Sequence, residues 1–585
     1  MTKIRIKRIL AEKRKTRTFL LILSAIAGIG AGLTALFLKT AVFEIQQHLT
    51  NIVWQKNYMY LLFVYPVSAV IIVSILRSFI FRDQTRHNIT SLLYAISKQS
   101  SNVPGHKIYS SVIGATITAG MGGSVGLESP IINSGASIGS NLARIFNMRY
   151  KEVTLLLACG ASGAIAAIFN TPIAGIVFSF EVLLLDLNRF SLIPLLIASV
   201  TGALTTWAFY PNDILLQFEI THQFELIQLP WYLLLAILGG AVSSYFTRTF
   251  LFFEVLFDKI KKRIYQVLFG AIIIGIIITL FPPIWGEGFR TIKILLADNL
   301  GELSNENPFG ISLNAYGLII FLIMLILVKV IATISTIRGG GIGGIFAPSL
   351  FTGAVAGFVF AFIINQTGFA ELSTSNFTLV GMASVLGGVL HAPLTGIFLI
   401  AEVTRGYELI VPLMLTTTIS YITAKQLSPH SIITYQLARK GELITHHKDK
   451  AVLHFLDKRQ IIEKDFQPIE LNKSLGDLVE IIAQSHRNIF PVVDDNNNLI
   501  GLIHLDKVRK IMFKRDAYTM PVWHLMSTPP DVIEEDDKMS QIVKKFNKSK
   551  AWNLPVVENN KYIGMVSRSK LFSTYREILL KITDD

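Results

Sequence analysis

Gly122-Gly123-Ser124-Val125-Gly126-Leu127-Glu128-Ser129-Pro130 and Gly340-Gly341-Ile342-Gly343-Gly344-Ile345-Phe346-Ala347-Pro348 stand at a constant offset of 218 residues, and Gly135, Ala136 and Gly139 keep that offset to Gly353, Ala354 and Gly357. A second pair follows at an offset of 221: Asn170-Thr171-Pro172-Ile173-Ala174-Gly175-Ile176 through Glu181-Val182 matches His391-Ala392-Pro393-Leu394-Thr395-Gly396-Ile397 through Glu402-Val403. Two ordered matches imply two homologous halves, about residues 18–210 and 229–440, an architecture shared by many transporters. The sequence leaves open whether the halves are parallel or inverted.

The material around the repeat is that of a membrane protein. Of 585 residues 51% are hydrophobic and 16% charged, and the formal net charge is +14. The 145 residues from Gly441 onward hold 22 Lys+Arg and 21 Asp+Glu, whereas 37 of the 41 glycines precede them. Residues 1–440 therefore belong to lipid, where glycine lets helices approach closely, and the rest belongs to water. The basic excess lies in the membrane part and is not a nucleic-acid footprint. Eight basic residues against one acid within Met1–Arg17 precede the apolar run from Thr18, which puts the N-terminus in the cytoplasm. That run continues to about Phe43, too far for a cleaved signal peptide. One cysteine, Cys159, excludes an intramolecular disulfide and a multi-cysteine metal site.

Apolar stretches recur near 18–43, 59–81, 108–142, 153–187, 190–210, 229–255, 264–285, 313–337, 345–369, 377–402 and 409–427. Several suit one bilayer crossing. Others are cut by Ser129-Pro130, Thr171-Pro172, Ala347-Pro348 or Ala392-Pro393, which predicts broken helices; irregular backbone at membrane depth is tolerated where protein or a water-filled path covers it. Each Gly-rich element reads as a loop opening a helix with Pro in its first turn, and open N–H groups there favour an anion. Gly344, Ile345 and Phe346 are the candidate donor nest. Glu128 holds the place where the second half has Phe346, so its carboxylate competes for the anion's position. Glu181 and Glu402 fall at equivalent points, as a shared structural partner would require. Ser100-Ser101-Asn102-Val103-Pro104 is a further small-polar loop whose hydroxyl suits an anion, although it is also ordinary turn chemistry.

These residues resemble the CLC family of chloride channels and chloride/proton exchangers. Gly126 to Pro130 resembles its GREGP motif, Gly344 to Pro348 its GxFxP motif, and Ser100 to Pro104 a variant of GSGIP. The resemblance implies an all-α polytopic membrane protein, an inverted repeat of tilted and broken helices, followed by a cytoplasmic α/β pair. It implies a homodimer with an anion path in each subunit. Ser101 and the amides of Ile345 and Phe346 would bind chloride, and Glu128 would be the gating glutamate. Three positions depart from the pattern. Leu127 and Ser129 replace a basic residue and a glycine. Ile433 falls where the family has its central tyrosine, with Tyr435 two residues away. Val182 falls where exchangers commonly carry an internal proton glutamate. The resemblance thus leans to a channel or weakly coupled transporter, with a chloride/proton antiporter that lacks the internal acid as the alternative. Ser101 favours chloride over nitrate.

Residues 441–464 read as a charged linker. Phe490-Pro491-Val492-Val493 then Ile500-Gly501-Leu502-Ile503 is echoed by Leu554-Pro555-Val556-Val557 then Ile563-Gly564-Met565-Val566. Short strands alternating with amphipathic stretches predict two small α/β modules, 465–515 and 521–585. They resemble a tandem of CBS domains, which often hold an adenine nucleotide. Lys507 and Lys570 replace the expected ribose-binding aspartate, leaving Asp506 and Ser567 as candidates against a purely structural or dimerising tail. No cofactor is required by the membrane part.

Rival classes lack their chemistry. The sequence has no HExxH, no metal-ligand cluster and no GxxxxGK[ST] loop. A magnesium transporter would place more acids in its path than Glu128, Glu181 and Glu402. The absence of targeting signals and the compact loops suit a bacterial-type plasma membrane.

Overall fold

In lipid every backbone N–H and C=O must be satisfied within its own segment, so apolar stretches of this length become helices. The computed structural model describes residues 2–55, 58–81, 89–98, 101–183, 189–209, 224–305, 314–404, 406–439, 458–537 and 539–583. Ser100 and linker residues 441–457 lie outside them. The chain divides into two units, Met1–Leu443 and Ile444–Asp585.

The first unit is helical: α1 (Thr2–Gln55), α2 (Leu61–Ile75), α3 (Ile89–Lys98), α4 (Lys107–Gly120), α5 (Glu128–Ile145), α6 (Tyr150–Phe169), α7 (Pro172–Glu181), α8 (Arg189–Phe209), α9 (Leu229–Lys259), α10 (Arg263–Leu280), α11 (Phe289–Leu296), α12 (Leu300–Asn305), α13 (Ala315–Gly339), α14 (Phe346–Thr367), α15 (Thr374–Leu390), α16 (Pro393–Val403), α17 (Ile410–Leu427) and α18 (Ile432–Arg439). Eight helices among the described residues are long and apolar enough to cross a membrane, while α7, α15 and α16 are apolar but shorter.

The predicted breaks fall where expected. Stretch 108–142 splits into α4 and α5, 153–187 contains α6 and α7, and 377–402 becomes α15 and α16. Asn170 and His391 stop their helices in the left-handed region, with φ of 58° and 57°. Two residues later Pro172 and Pro393 open the next helix, where a missing N–H costs nothing. The glycines of the repeat have a packing reason: Gly135 and Gly139 lie against the carbonyls of Gly160 and Leu156, as Gly353 and Gly357 lie against those of Gly381 and Phe377. A Cβ at any of them would collide with backbone, so α5 on α6 and α14 on α15 are close-packed pairs.

The halves are inverted. The end of α7 abuts the start of α16, and the end of α16 abuts the start of α7. Such a reciprocal contact between equivalent helices requires a two-fold axis across them and leaves them antiparallel.

The second unit holds two three-stranded sheets. β1 (Ile469–Glu470) runs parallel to β2 (Ile489–Val493), which pairs antiparallel with β3 (Leu499–His504); β4 (Ile533–Glu534), β5 (Asn553–Glu558) and β6 (Lys561–Ser567) repeat that order. One reading of the sequence is corrected. The end of the supposed linker 441–464 is part of the second module. Glu463 exchanges backbone hydrogen bonds with Met565 at 2.8 and 2.9 Å, and Ile461 is fully buried against Ile533 and Val556. Its charges hide that the single pair Ile461-Ile462 supplies an apolar anchor.

Candidate functional site

Both Gly-rich turns end in a helix start, and the two starts meet. Gly126 donates its N–H to the Gly344 carbonyl at 2.9 Å and accepts the Gly344 N–H at 2.8 Å, a single antiparallel rung. This corrects the expected donor nest. The Gly344 amide is taken by Gly126, so the open donors at the start of α14 are Ile345 and Phe346, whose amides carry no hydrogen bond among the described residues. Phe346 is held from behind by stacking on Phe169, ring centroids 5.6 Å apart.

Glu128 is the first residue of α5 and is fully buried. Neither of its carboxylate oxygens meets a partner at full hydrogen-bond geometry. The amides facing it are its own and that of Ala347, in the first turn of α14. Gly126 makes room for it, since a Cβ there would strike Oε2. The carboxylate thus lies across both helix starts, where the fields of two N-termini converge and an anion would otherwise rest.

On one side of this point a cavity of about 290 Å³ is lined by Ser129, Gly344, Ile345 and Ile433, with Arg77 and Arg338 farther along its wall. Arg77 reaches the Gly340 carbonyl at 3.5 Å, and Arg338 pairs with Glu254 and Asp258. Ile433, and not Tyr435, faces this cavity; its carbonyl accepts the Thr90 hydroxyl at 3.1 Å. Arg263 lines the same wall, so Arg77, Arg263 and Arg338 there face the acids Glu254 and Asp258, and the surplus positive charge favours anions.

The structure does not bring Ser101 to the cavity. Its backbone is left-handed, with φ of 59°, and its Oγ lies 2.6 Å from the Thr154 hydroxyl. The Thr154 hydroxyl also reaches the Tyr150 carbonyl at 3.0 Å. A chloride at Ser101 would have to share or replace this contact with Thr154. Val182 follows α7 as a buried apolar residue away from the cavity.

Two residues were missed. Lys329 stands alone in the apolar run Ile326-Leu327-Val328-Lys329-Val330, is fully buried and donates to the carbonyls of Ile284 and Gly286 at 3.1 and 3.2 Å. Glu287, in the turn Gly286-Glu287-Gly288, accepts the Leu127 N–H at 3.4 Å. A lone intramembrane lysine is a functional signal by default and would have found the first.

In the second unit a cavity of about 510 Å³ is lined by Phe466, His486, Arg487, His504, Asp506 and Trp552 among others. Asp506 pairs with Arg509 at 2.9 Å. Ser567 does not line that cavity: its Oγ accepts the Lys570 N–H at 3.1 Å and caps the helix Arg568–Thr583. Of the two candidates for a nucleotide cleft, Asp506 lines this cavity and Ser567 does not. Arg487 is bound by Asp465 and Glu463, which holds its charge firmly, and burial with Lys507 nearby pushes the His504 imidazole below its ordinary value.

Comparison with known proteins shows the family and the fold. Residues 68–425 match the voltage gated chloride channel family, and residues 459–514 and 522–577 each match a CBS domain. Chloride channel protein CLC-f of Arabidopsis thaliana is 28% identical over 522 residues, 78% of this chain and 64% of that protein. The H(+)/Cl(-) exchange transporter ClcA of Vibrio cholerae serotype O1 is 29% identical over 331 residues, 55% of this chain and 67% of that protein. The chain therefore spans just under two thirds of the plant relative's length. The crystal structure of a slow cyanobacterial Cl-/H+ antiporter shares the fold, with a TM-score of 0.62 at 21% identity over 72% of this chain and 97% of that one. With more than half of its residues inside the family match and two CBS domains behind it, the chain belongs to the voltage gated chloride channel family.

Proposed function

We propose that this protein moves chloride through a path in each subunit of a homodimer, that Glu128 gates that path, and that it works as a channel or weakly coupled transporter. The observation that carries the reading is the buried, unpartnered Glu128 carboxylate resting on the first turn of α14, beside the open amides of Ile345 and Phe346. Carboxylate and anion compete for the same helix-start field, so the anion passes when the carboxylate is neutralised by a proton or swings away. Main-chain donors hold an anion without a full charge, which keeps its release fast. Val182 supports weak proton coupling, because a buried valine offers no relay toward the opposite face. Protons enter as the ligand of the gate. The lipid surroundings belong to a bacterial-type plasma membrane with both termini cytoplasmic, and no nucleic acid is involved.

The tail has room for a nucleotide but a poor ribose acceptor, since Asp506 is exposed and tied to Arg509. We infer a structural or dimerising role, with adenine nucleotide the ligand to test by calorimetry on the whole protein.

The test of function is chloride efflux from liposomes holding the purified protein, with internal pH recorded. Chloride flux without uphill proton movement supports the channel reading. Protons driven uphill in fixed proportion to chloride would replace it with an antiporter. Absence of chloride movement, with magnesium moving instead, would overturn the anion reading.

A further inference from the structure

The gate acid does not stand alone. The turn Trp285-Gly286-Glu287-Gly288 enters the site from the end of α10 opposite Arg263, and so from the face opposite the arginine-lined cavity. Three contacts fix it there. Trp285 packs on Gly122, whose φ of +94° places no side chain in the way. Ser124 Oγ donates to the Ile284 carbonyl at 3.0 Å. Lys329, rising from α13, ties the Ile284 and Gly286 carbonyls together while its ammonium lies 4.7 Å from the Phe351 ring centre. The product of this clamp is a second carboxylate, Glu287, on the amide of Leu127, the residue that carries Glu128.

We propose that Glu287 is a second acid of the gate, a positioning and charge-setting residue through which protons from that face control whether the Glu128 carboxylate stays in the anion's place. The inference rests on the gating role proposed for Glu128. Two neighbouring carboxylates are costly to ionise together; the charge of Glu287 acts on Glu128, and those of Lys39 and Lys329 act on Glu287. Charge on Glu287 therefore favours a neutral Glu128 and an open path.

The other elements around Glu128 bring little charge. α14 has no ionisable residue. α4 offers Lys107, held to Ser91 Oγ at 3.4 Å beside Asn133, more than a turn along α5. Lys151 and Glu152 of α6 lie in its first turn, at the far end of α5, and Lys98 of α3 precedes the loop that meets Ser140. Arg290 and Lys293 of α11 follow Glu287 on its own segment. The groups whose charges act on the two acids are Glu128, Glu287, Lys329 and Lys39, with Arg77, Arg263 and Arg338 in the cavity wall at Ser129.

The experiment is chloride flux from liposomes as a function of pH on the Glu287 face, for the full-length wild type, Glu287→Gln, Glu128→Gln and the double variant. Glutamine keeps an acceptor for the Leu127 N–H and removes only charge. The expected result is a half-activation point moved to lower pH by about half a unit or more in Glu287→Gln, and no such movement in the Glu128→Gln background. An unmoved half-activation point, or one that moves equally without Glu128, overturns the proposal while leaving the transport reading intact. A wild type without anion flux overturns both. If Glu287→Gln does not assemble, Glu287→Asp decides: the charge drawn back by one methylene is expected to shift the profile the same way by less, and an unshifted profile sinks the idea.

Discussion

Glu181 and Glu402 cap each other's helices. Glu181, at the end of α7, accepts the N–H groups of Leu394 and Thr395 at 3.0 and 2.7 Å and the Thr395 hydroxyl at 2.8 Å. Glu402, at the end of α16, accepts the N–H groups of Ile173 and Ala174 at 3.0 and 2.8 Å. The exchange is symmetric in the backbone and asymmetric in the side chains, because Thr395 has a hydroxyl where Ala174 has a methyl. Both acids are therefore structural. Each buried donor left unmet costs about 1–3 kcal/mol, so Glu181→Ala is expected to lower the melting temperature in detergent more than Glu402→Ala. The proton-to-chloride ratio should be the same in both variants as in the wild type. A changed ratio would return these acids to the transport path.

Gly126 provides a second route to the gate. A methyl group at this position displaces the flexible end of Glu128 rather than backbone alone. Gly126→Ala and Glu128→Gln are both expected to raise chloride flux at neutral pH several-fold and flatten its pH dependence. Stopped-flow efflux at pH 5 and pH 7.5 reads this, and a Gly126→Ala variant that keeps the wild-type pH profile would show that the carboxylate is not confined by this glycine.

Ile433 lines the arginine-bearing cavity next to Ile345. Replacing it with tyrosine adds a ring and hydroxyl to the wall of that cavity. Flux should fall several-fold in Ile433→Tyr with the pH profile retained, whereas Tyr435→Phe should leave flux unchanged. The opposite pattern would place Tyr435 on the path.

In the tail, Glu558 is held above its ordinary value by a side-chain hydrogen bond with Glu535 and by that group's charge, with Asp536 adding to it. A carboxyl whose folded value is raised binds its proton more tightly when folded, so its contribution to stability is lost as pH rises through the folded value, from about pH 4 upward. Glu558→Gln removes that loss. The tail's melting transition in the full-length protein is expected to rise at pH 7 and stay unchanged at pH 4. Equal behaviour at both values would show that solvent screens the pair.

Much of this molecule was legible before folding. The offset repeat gave two halves, the Asn170-Thr171-Pro172 and His391-Ala392-Pro393 junctions gave broken helices, and Phe490 to Val493 with Leu554 to Val557 gave twin small sheets. Such features are local: a left-handed stop, a proline start and a strand pattern are decided by neighbours in sequence. Glu128 was legible too, because a carboxylate opening a buried helix stands out against apolar surroundings.

What needed the tertiary structure was every property that depends on which groups meet. Gly344 looks like a donor until Gly126 takes its amide across 218 residues, and the Thr154 hydroxyl beside Ser101 could not be foreseen from the loop alone. Glu287 reads as an ordinary turn acid until Lys329 draws its turn against Leu127. Inversion was hidden for the same reason, since parallel and inverted halves share one sequence pattern and differ only in which helix end faces which. The sequence by itself determined the helices, their breaks and the pairing of the halves, because those follow from hydropathy and backbone preference. The structure decided the partners of Glu128, because a buried donor or charge is satisfied by whatever the packing brings within about 3 Å of it.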